Sequence, residues 1–191
     1  LEMDLMPAEA YEKSRVAQGR VSCLILFKSF NDRSSEIFVP SRYAKITEYI
    51  LGDVNVSRII RPSMDKVPAK TETRMTSRFF PFARVKRVNM ISVGADFRSV
   101  LSFLEKEGKK EKCLVFQFFL NLSEPWVETA AEILRKKGYF FGGLIPRWFD
   151  ADGLLMQKVL TPPDFKAPRL HSAKAKKLLR YVHSDWQDLQ G

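Results

Sequence analysis

The run Cys113 to Leu120 (CLVFQFFL) is almost wholly apolar, and it constrains this chain more than any other stretch. Such a segment is expected as a central strand with both faces covered. The residues after it are equally well punctuated. Ser123 is placed to cap a helix, with Pro125 in its first turn and Trp126 next. Val127, Ala130, Ala131 and Leu134 form its inner stripe. Arg135, Lys136 and Lys137 suit the negative end of the helix dipole, and Gly138 ends the helix. Tyr139 to Ile145 and Gly153 to Leu160 read as two further strands, joined by the turn Pro146-Arg147-Trp148-Phe149-Asp150. Thr161-Pro162-Pro163 closes the unit.

Earlier segments are less sharply bounded. Gly19 to Phe30 (GRVSCLILFKSF) predicts a strand and Glu36 to Val39 a second, with the polar cluster Asn31 to Ser35 making them a hairpin. Pro40-Ser41 opens a helix with Tyr43, Ile46, Tyr49 and Ile50 at helical spacing and Gly52 as its cap. Asn55 to Ile60 is a short strand or a lead-in to the next loop. Lys70 to Phe79 alternates with period two, which predicts a strand with a charged face. Phe80-Pro81-Phe82 turns it into a partner strand, Ala83 to Val93. Asp96 is placed to cap a helix whose stripe is Phe97, Val100, Leu101 and Leu104, ended by Gly108. A basic helix, Ser172 to Leu189, completes the chain. The predicted class is α/β (α+β): one layered domain over 1–161 and a basic helical appendage over 162–191.

Composition sets the frame. A chain of 191 residues is one domain, or one domain with an appendage. Fifteen Phe against five Tyr and three Trp predict many interior rings, since Phe has no polar tip. Cys23 and Cys113 each lie in an apolar run and read as buried free thiols of a reducing cytoplasm. No secretory signal is evident and no apolar run is long enough to cross a bilayer, so a cytoplasmic protein without a membrane partner is expected. The opening Leu1-Glu2-Met3 suits a trimmed chain or a piece of a longer protein. Net charge is +10, and between Arg58 and Arg87 nine cations face only Asp65 and Glu72. Such a patch attracts nucleic acid, a phosphorylated cofactor or an acidic partner, or it is a solvated strand face.

Leu134-Arg135-Lys136-Lys137-Gly138-Tyr139, with the small residue Ala130 inside the preceding helix, resembles the C-terminal half of the GNAT acyltransferase superfamily. Gly138 to Leu160 (GYFFGGLIPRWFDADGLLMQKVL) is similar, more specifically, to a GNAT-like domain of bacterial signalling proteins. The likeness covers the last half of the chain and is topological before it. It implies a mixed central sheet flanked by helices and acyl-CoA or acetyl-CoA as cosubstrate. It implies a ligand cradle in Arg87 to Lys112, with Ile91, Val93, Gly94, Ala95 and Arg98 as cofactor-binding positions. Two departures stand out. The family cradles the cofactor's pyrophosphate with a Gln/Arg-x-x-Gly-x-Gly/Ala loop, where bare N–H groups and the helix dipole meet the anion. This chain has Val93-Gly94-Ala95-Asp96-Phe97-Arg98, with one glycine and a carboxylate. The family's general-acid tyrosine is replaced by Leu134, and its asparagine earlier in the same helix by Val127.

Tyr139 is the available substitute for the missing tyrosine, against a place in the core. Glu72, on a polar strand face, is the candidate general base, against simple pairing with Lys70 or Arg74. Arg147 and Trp148 are candidates to bind and stack on an anionic ligand, against covering the end of the sheet. His171 and His183 have no Cys or carboxylate at ligand spacing, so no metal is expected. Three functions are open. The first is a divergent GNAT-like N-acyltransferase, moving an acyl group from acyl-CoA to an unidentified small-molecule or protein amine. The second is a GNAT-like module without catalysis that senses a ligand or meets a partner domain or a second copy. The third, nucleic-acid binding through the Arg58–Arg87 patch, lacks an aromatic-studded strand motif or a recognition helix.

Overall fold

Residues 1–10, 19–52, 54–63, 66–67 and 69–191 are described by a computed structural model. In chain order its elements are β1 (Glu2–Pro7), β2 (Arg20–Cys23), β3 (Ser35–Val39), α1 (Ala44–Leu51), β4 (Arg58–Pro62) and β5 (Arg74–Phe80). Then come β6 (Val85–Ser92), α2 (Phe97–Lys110), β7 (Val115–Asn121), α3 (Val127–Arg135), β8 (Phe140–Ile145), β9 (Gly153–Val159) and α4 (Ala173–Gln187). The apolar run at 113–120 forms β7, the middle strand of a mixed five-stranded sheet of order β5-β6-β7-β9-β8. β6 lies parallel to β7, reached through α2, and β9 lies antiparallel on the other side. α3 carries the chain from β7 to the sheet edge, where β8 runs, and β9 returns into the gap. β5 and β6 make the antiparallel hairpin that the period-two pattern predicts.

One parity of the sheet carries Val88, Met90, Phe116, Phe118, Leu120, Leu154 and Met156 into one core with Phe97, Leu101 and Leu104 of α2 and Val127, Ala130 and Leu134 of α3. Burying each large apolar side chain is worth about 1.5–3 kcal/mol, which fixes the register of every strand. Gly108 does not end α2, which continues to Lys110. It is needed because a Cβ there would overlap the Phe116 ring. The opposite parity is partly polar. Gln117 and Gln157 are fully buried and stand opposite each other on β7 and β9. Gln157 accepts from Met3 N at 2.9 Å and donates to Leu1 O at 3.0 Å, while Gln117 donates to Glu2 Oε1 at 2.8 Å. These two amides fasten β1, which has no counterpart in the sequence-based order.

The first third departs most from expectation. Gly19–Phe30 is strand only at Arg20–Cys23, paired antiparallel with β1. β3 does not form a hairpin with it but pairs in parallel with β4 after the α1 crossover. The reason lies in the polar cluster. Asp32 accepts from Ser57 N at 2.9 Å and from Arg58 Nη1 at 2.6 Å, which brings 31–35 alongside the start of β4.

The helical segment 162–191 shares the core of the sheet. Val182 belongs to the same buried cluster. Asp185, 4% exposed, accepts from Phe141 N of edge strand β8 at 2.7 Å, from Arg135 at 2.6 Å and from Arg42 at 3.1 Å. A carboxylate thus takes up an edge N–H that would otherwise invite another strand. Ser172, read as the first residue of the helix, instead caps α4 through Ala175 N. Ser123 and Asp96 do not cap. α3 begins only at Val127, and Ser123 Oγ instead donates to Asn121 Oδ1. Among the described residues no helix is long and apolar enough to cross a membrane.

Candidate functional site

Parallel strands in an open sheet present bare backbone at their carboxyl ends, where ligands enter. The resemblance puts acyl-CoA there, between β6 and β7, and implies that these strands splay apart. They stay paired from Val85–Val115 to Met90–Leu120. Beyond that point side chains bridge them. Asn121 Nδ2 donates to Ile91 O, and Trp126 Nε1 donates to Val93 O, each at 3.1 Å. The carbonyls of Ile91 and Val93 thus already have partners.

The loop leading into α2 is covered from the other side by a strap, Thr71 to Thr73. Gly94 N donates to Thr73 Oγ1 at 3.0 Å and Ala95 N to Thr71 O at 2.9 Å. Asp96 Oδ1 accepts from Thr73 N at 2.8 Å rather than from the first turn of α2. Hydrogen bonds from Thr73 hold the Asp96 carboxyl below its usual range. A Cβ on Gly94 would overlap Glu72 C, Thr73 N and Thr71 O. The glycine therefore admits the chain's own backbone at the place where a pyrophosphate was expected. Of the five expected cofactor positions, Gly94 and Ala95 spend their N–H groups on the strap, and Ile91 and Val93 spend their carbonyls on the bridges. Arg98 is exposed on α2, with no partner among the described residues.

The other candidates are dispersed. Glu72 lies in the strap rather than on β5. Its side chain is exposed and, among the described residues, pairs with neither Lys70 nor Arg74. Tyr139 is fully buried against the edges of Phe116 and Phe118. It precedes β8 at the end of the sheet opposite Gly94, because β8 runs in the same direction as β7. Burial, then the neighbouring Glu105 carboxylate 3.3 Å from its hydroxyl, pushes its phenol well above the ordinary value. It is a core residue at the end of the sheet away from the expected cofactor loop.

Arg147 and Trp148 cover the sheet end. Arg147 donates to Asp32 Oδ1 at 3.2 Å, to Arg33 O at 2.8 Å and to Asp150 O at 3.2 Å. Trp148 stacks on Phe119 with centroids 4.2 Å apart and donates to Asn89 Oδ1. The basic patch is not a single surface. Arg58, its side chain 1% exposed, sits between Asp32 and Asp152. Lys86 is buried against Glu107 and Glu111, Arg61 pairs with Glu36, and Arg87 with Glu2. Asp65 lies outside the described residues.

One carboxylate near the cleft was not foreseen. Glu124, in the turn between Asn121 and Trp126, has a buried Oε2 with no hydrogen-bond partner among the described residues. Burial pushes its carboxyl up, against the pull of Arg74. In the sequence it is indistinguishable from any acid before a helix. Among the described residues, no group of three or more His, Cys, Asp and Glu side chains is placed to hold a metal ion. Comparison of the chain with models of known families, with curated proteins and with solved structures finds no match.

Proposed function

We propose that the chain is a GNAT-like domain whose cofactor cleft is filled by its own residues and that it works as a protein-interaction module. One observation carries this reading: the Thr71–Thr73 strap takes both N–H groups that a pyrophosphate would need. Occupied donors give an anion nothing to displace cheaply, since each lost buried hydrogen bond costs about 1–3 kcal/mol. The missing tyrosine at Leu134 points the same way. Acetyl-CoA at about 1 mM should leave the melting temperature unchanged, whereas a ligand at a hundredfold excess over its Kd would add about 2.7 kcal/mol. A rise of several degrees would sink the proposal.

Glu124 supports a second reading, an active N-acyltransferase. A carboxyl raised by burial beside the cleft suits a general base for an amine. That reading requires the strap to move away. It predicts acyl transfer to a panel of amines that Glu124→Gln reduces at least about a hundredfold, with pH dependence altered. Transfer unaffected by that change would remove it.

A further inference from the structure

The segment that leaves β2 is chemically unlike the rest of the surface. Leu24 to Phe30 (LILFKSF) has a strand-forming composition, yet none of its backbone groups is hydrogen-bonded among the described residues. Leu26 and Phe30 are each 86% exposed, and Ile25 and Phe27 are exposed as well. The same segment forms one wall of an apolar cavity of about 270 Å³. α1 supplies Tyr49 and Ile50 to the other walls, β8 supplies Leu144, and α4 supplies Leu178.

The rim is cationic. Lys177 Nζ stands 3.9 Å from the centroid of the Tyr49 ring, and Lys28 Nζ lies 5.1 Å from that of Phe30. Neither forms an ion pair among the described residues. Lys174 also lines the cavity and donates to Ile50 O. The acid that α4 could have offered, Asp185, is turned inward and held by Arg42 and Arg135.

We propose that an extended acidic segment of another protein adds to Leu24–Phe30 as a strand. Its alternate apolar side chains enter the cavity, and its carboxylates meet Lys28, Lys174 and Lys177. Three features select this occupant. Backbone that is unpaired over seven residues, among the described residues, calls for a strand. A concave apolar wall calls for side chains. The lysines beside the segment and its cavity call for acids. A second copy of a chain carrying +10 would bring like charge against like. A lipid surface would leave the backbone groups of 24–30 unsatisfied in hydrocarbon and the cavity unfilled. The inference rests on the reading of the chain as an interaction module but on residues remote from the strap, so the two can fail separately.

The test uses a fluorescein-labelled peptide, EEVTLTVTEE, titrated with the whole chain. Controls are the period-broken EEVVLTTTEE and the basic KKVTLTVTKK. Saturable binding of the first peptide is expected, with protection of the 24–30 amides from hydrogen exchange. The basic and period-broken peptides should bind at least about tenfold more weakly. Leu26→Asp with Phe30→Asp should lower affinity for the first peptide by about tenfold or more without unfolding an exposed site. Lys28→Glu with Lys177→Glu should do the same through charge alone. Equal binding of all three peptides, no binding at about 1 mM, or indifference to both double variants would overturn the proposal. So would co-sedimentation with phosphatidylglycerol vesicles, or a dimer at sedimentation equilibrium, if either is lost in the Leu26/Phe30 variant. A melting-temperature rise with acetyl-CoA beside saturable peptide binding would overturn the filled cleft and leave the docking strand standing.

Discussion

Two stretches of exposed-chain chemistry behave in opposite ways. At the carboxyl ends of β6 and β7, where open backbone was expected, each of four groups on Ile91, Val93, Gly94 and Ala95 has an internal partner. Along Leu24–Phe30, where a paired strand was expected, no backbone group has one among the described residues. Unpaired polar backbone is tolerated only where water or another molecule can reach it. The contrast therefore puts the open backbone on the flank beside α1 and α4, where the proposed docking strand lies, and not on these four groups at the mouth of the parallel strands. Function is read from the site rather than from the fold that hosts it.

The sharpest way to break this contrast is Gly94→Val. A side chain there must push the strap away, because its Cβ would overlap backbone atoms of Thr71, Glu72 and Thr73. Backbone in such close packing yields poorly, so the loss of stability should reach about 4 kcal/mol or more, read from urea unfolding. A loss below about 1 kcal/mol would mean that the strap lifts easily. The cleft would then count as gated rather than filled, and the acyltransferase reading would gain.

The unequal legibility of the two stretches has a physical basis. β5 to β9 could be read from sequence because each strand's pattern answers to a local demand: a two-sided apolar run, a period-two face, an amphipathic helix between. Gln117 and Gln157 stand in apolar runs, but nothing local in the sequence points to β1, which they fasten. The strap and the bridges depend on contacts 21 to 33 residues apart, Gly94 with Thr73 and Val93 with Trp126, and no local pattern announces them. Leu24–Phe30 misled for the opposite reason. Its composition is that of a strand, but pairing needs a neighbour, and β-propensity alone does not supply one. Asp96 and Ser123 occupied good capping positions, and longer-range or competing partners claimed their side chains.

A smaller effect is expected where the chain seals its own edge. Asp185→Ala removes the acceptor for Phe141 N and strands Arg135, whose side chain is 15% exposed. Breaking a buried pair from one side costs about 3–5 kcal/mol, and water reaching Arg42 should bring this case to about 3 kcal/mol. β8 would then have an open edge. If the variant is destabilised yet stays monomeric, Leu24–Phe30 remains the place where an added strand is wanted. If it dimerises, an edge N–H is enough to recruit a strand, and the special claim of 24–30 weakens.

The smallest effect concerns the anchor at the far end of the open segment. Asp32 ties 31–34 to β4, and hydrogen bonds from Arg58, Ser57 N and Arg147 hold its carboxyl down to about 2, against the cost of desolvation. An unfolded aspartate titrates near 3.9. Because the folded value is the lower one, the contribution is complete above the unfolded value and fades as pH falls from about 4 toward 2. Acid should therefore free the Ser57 amide, which donates to Asp32, before it disturbs β7. Hydrogen exchange at pH 3 and at pH 5 reads this directly. Asp32→Asn should show fast Ser57 exchange at both pH values. If the wild-type amide stays equally protected at pH 3, Asp32 is not what tethers 24–30, and the segment must be held through β2 alone.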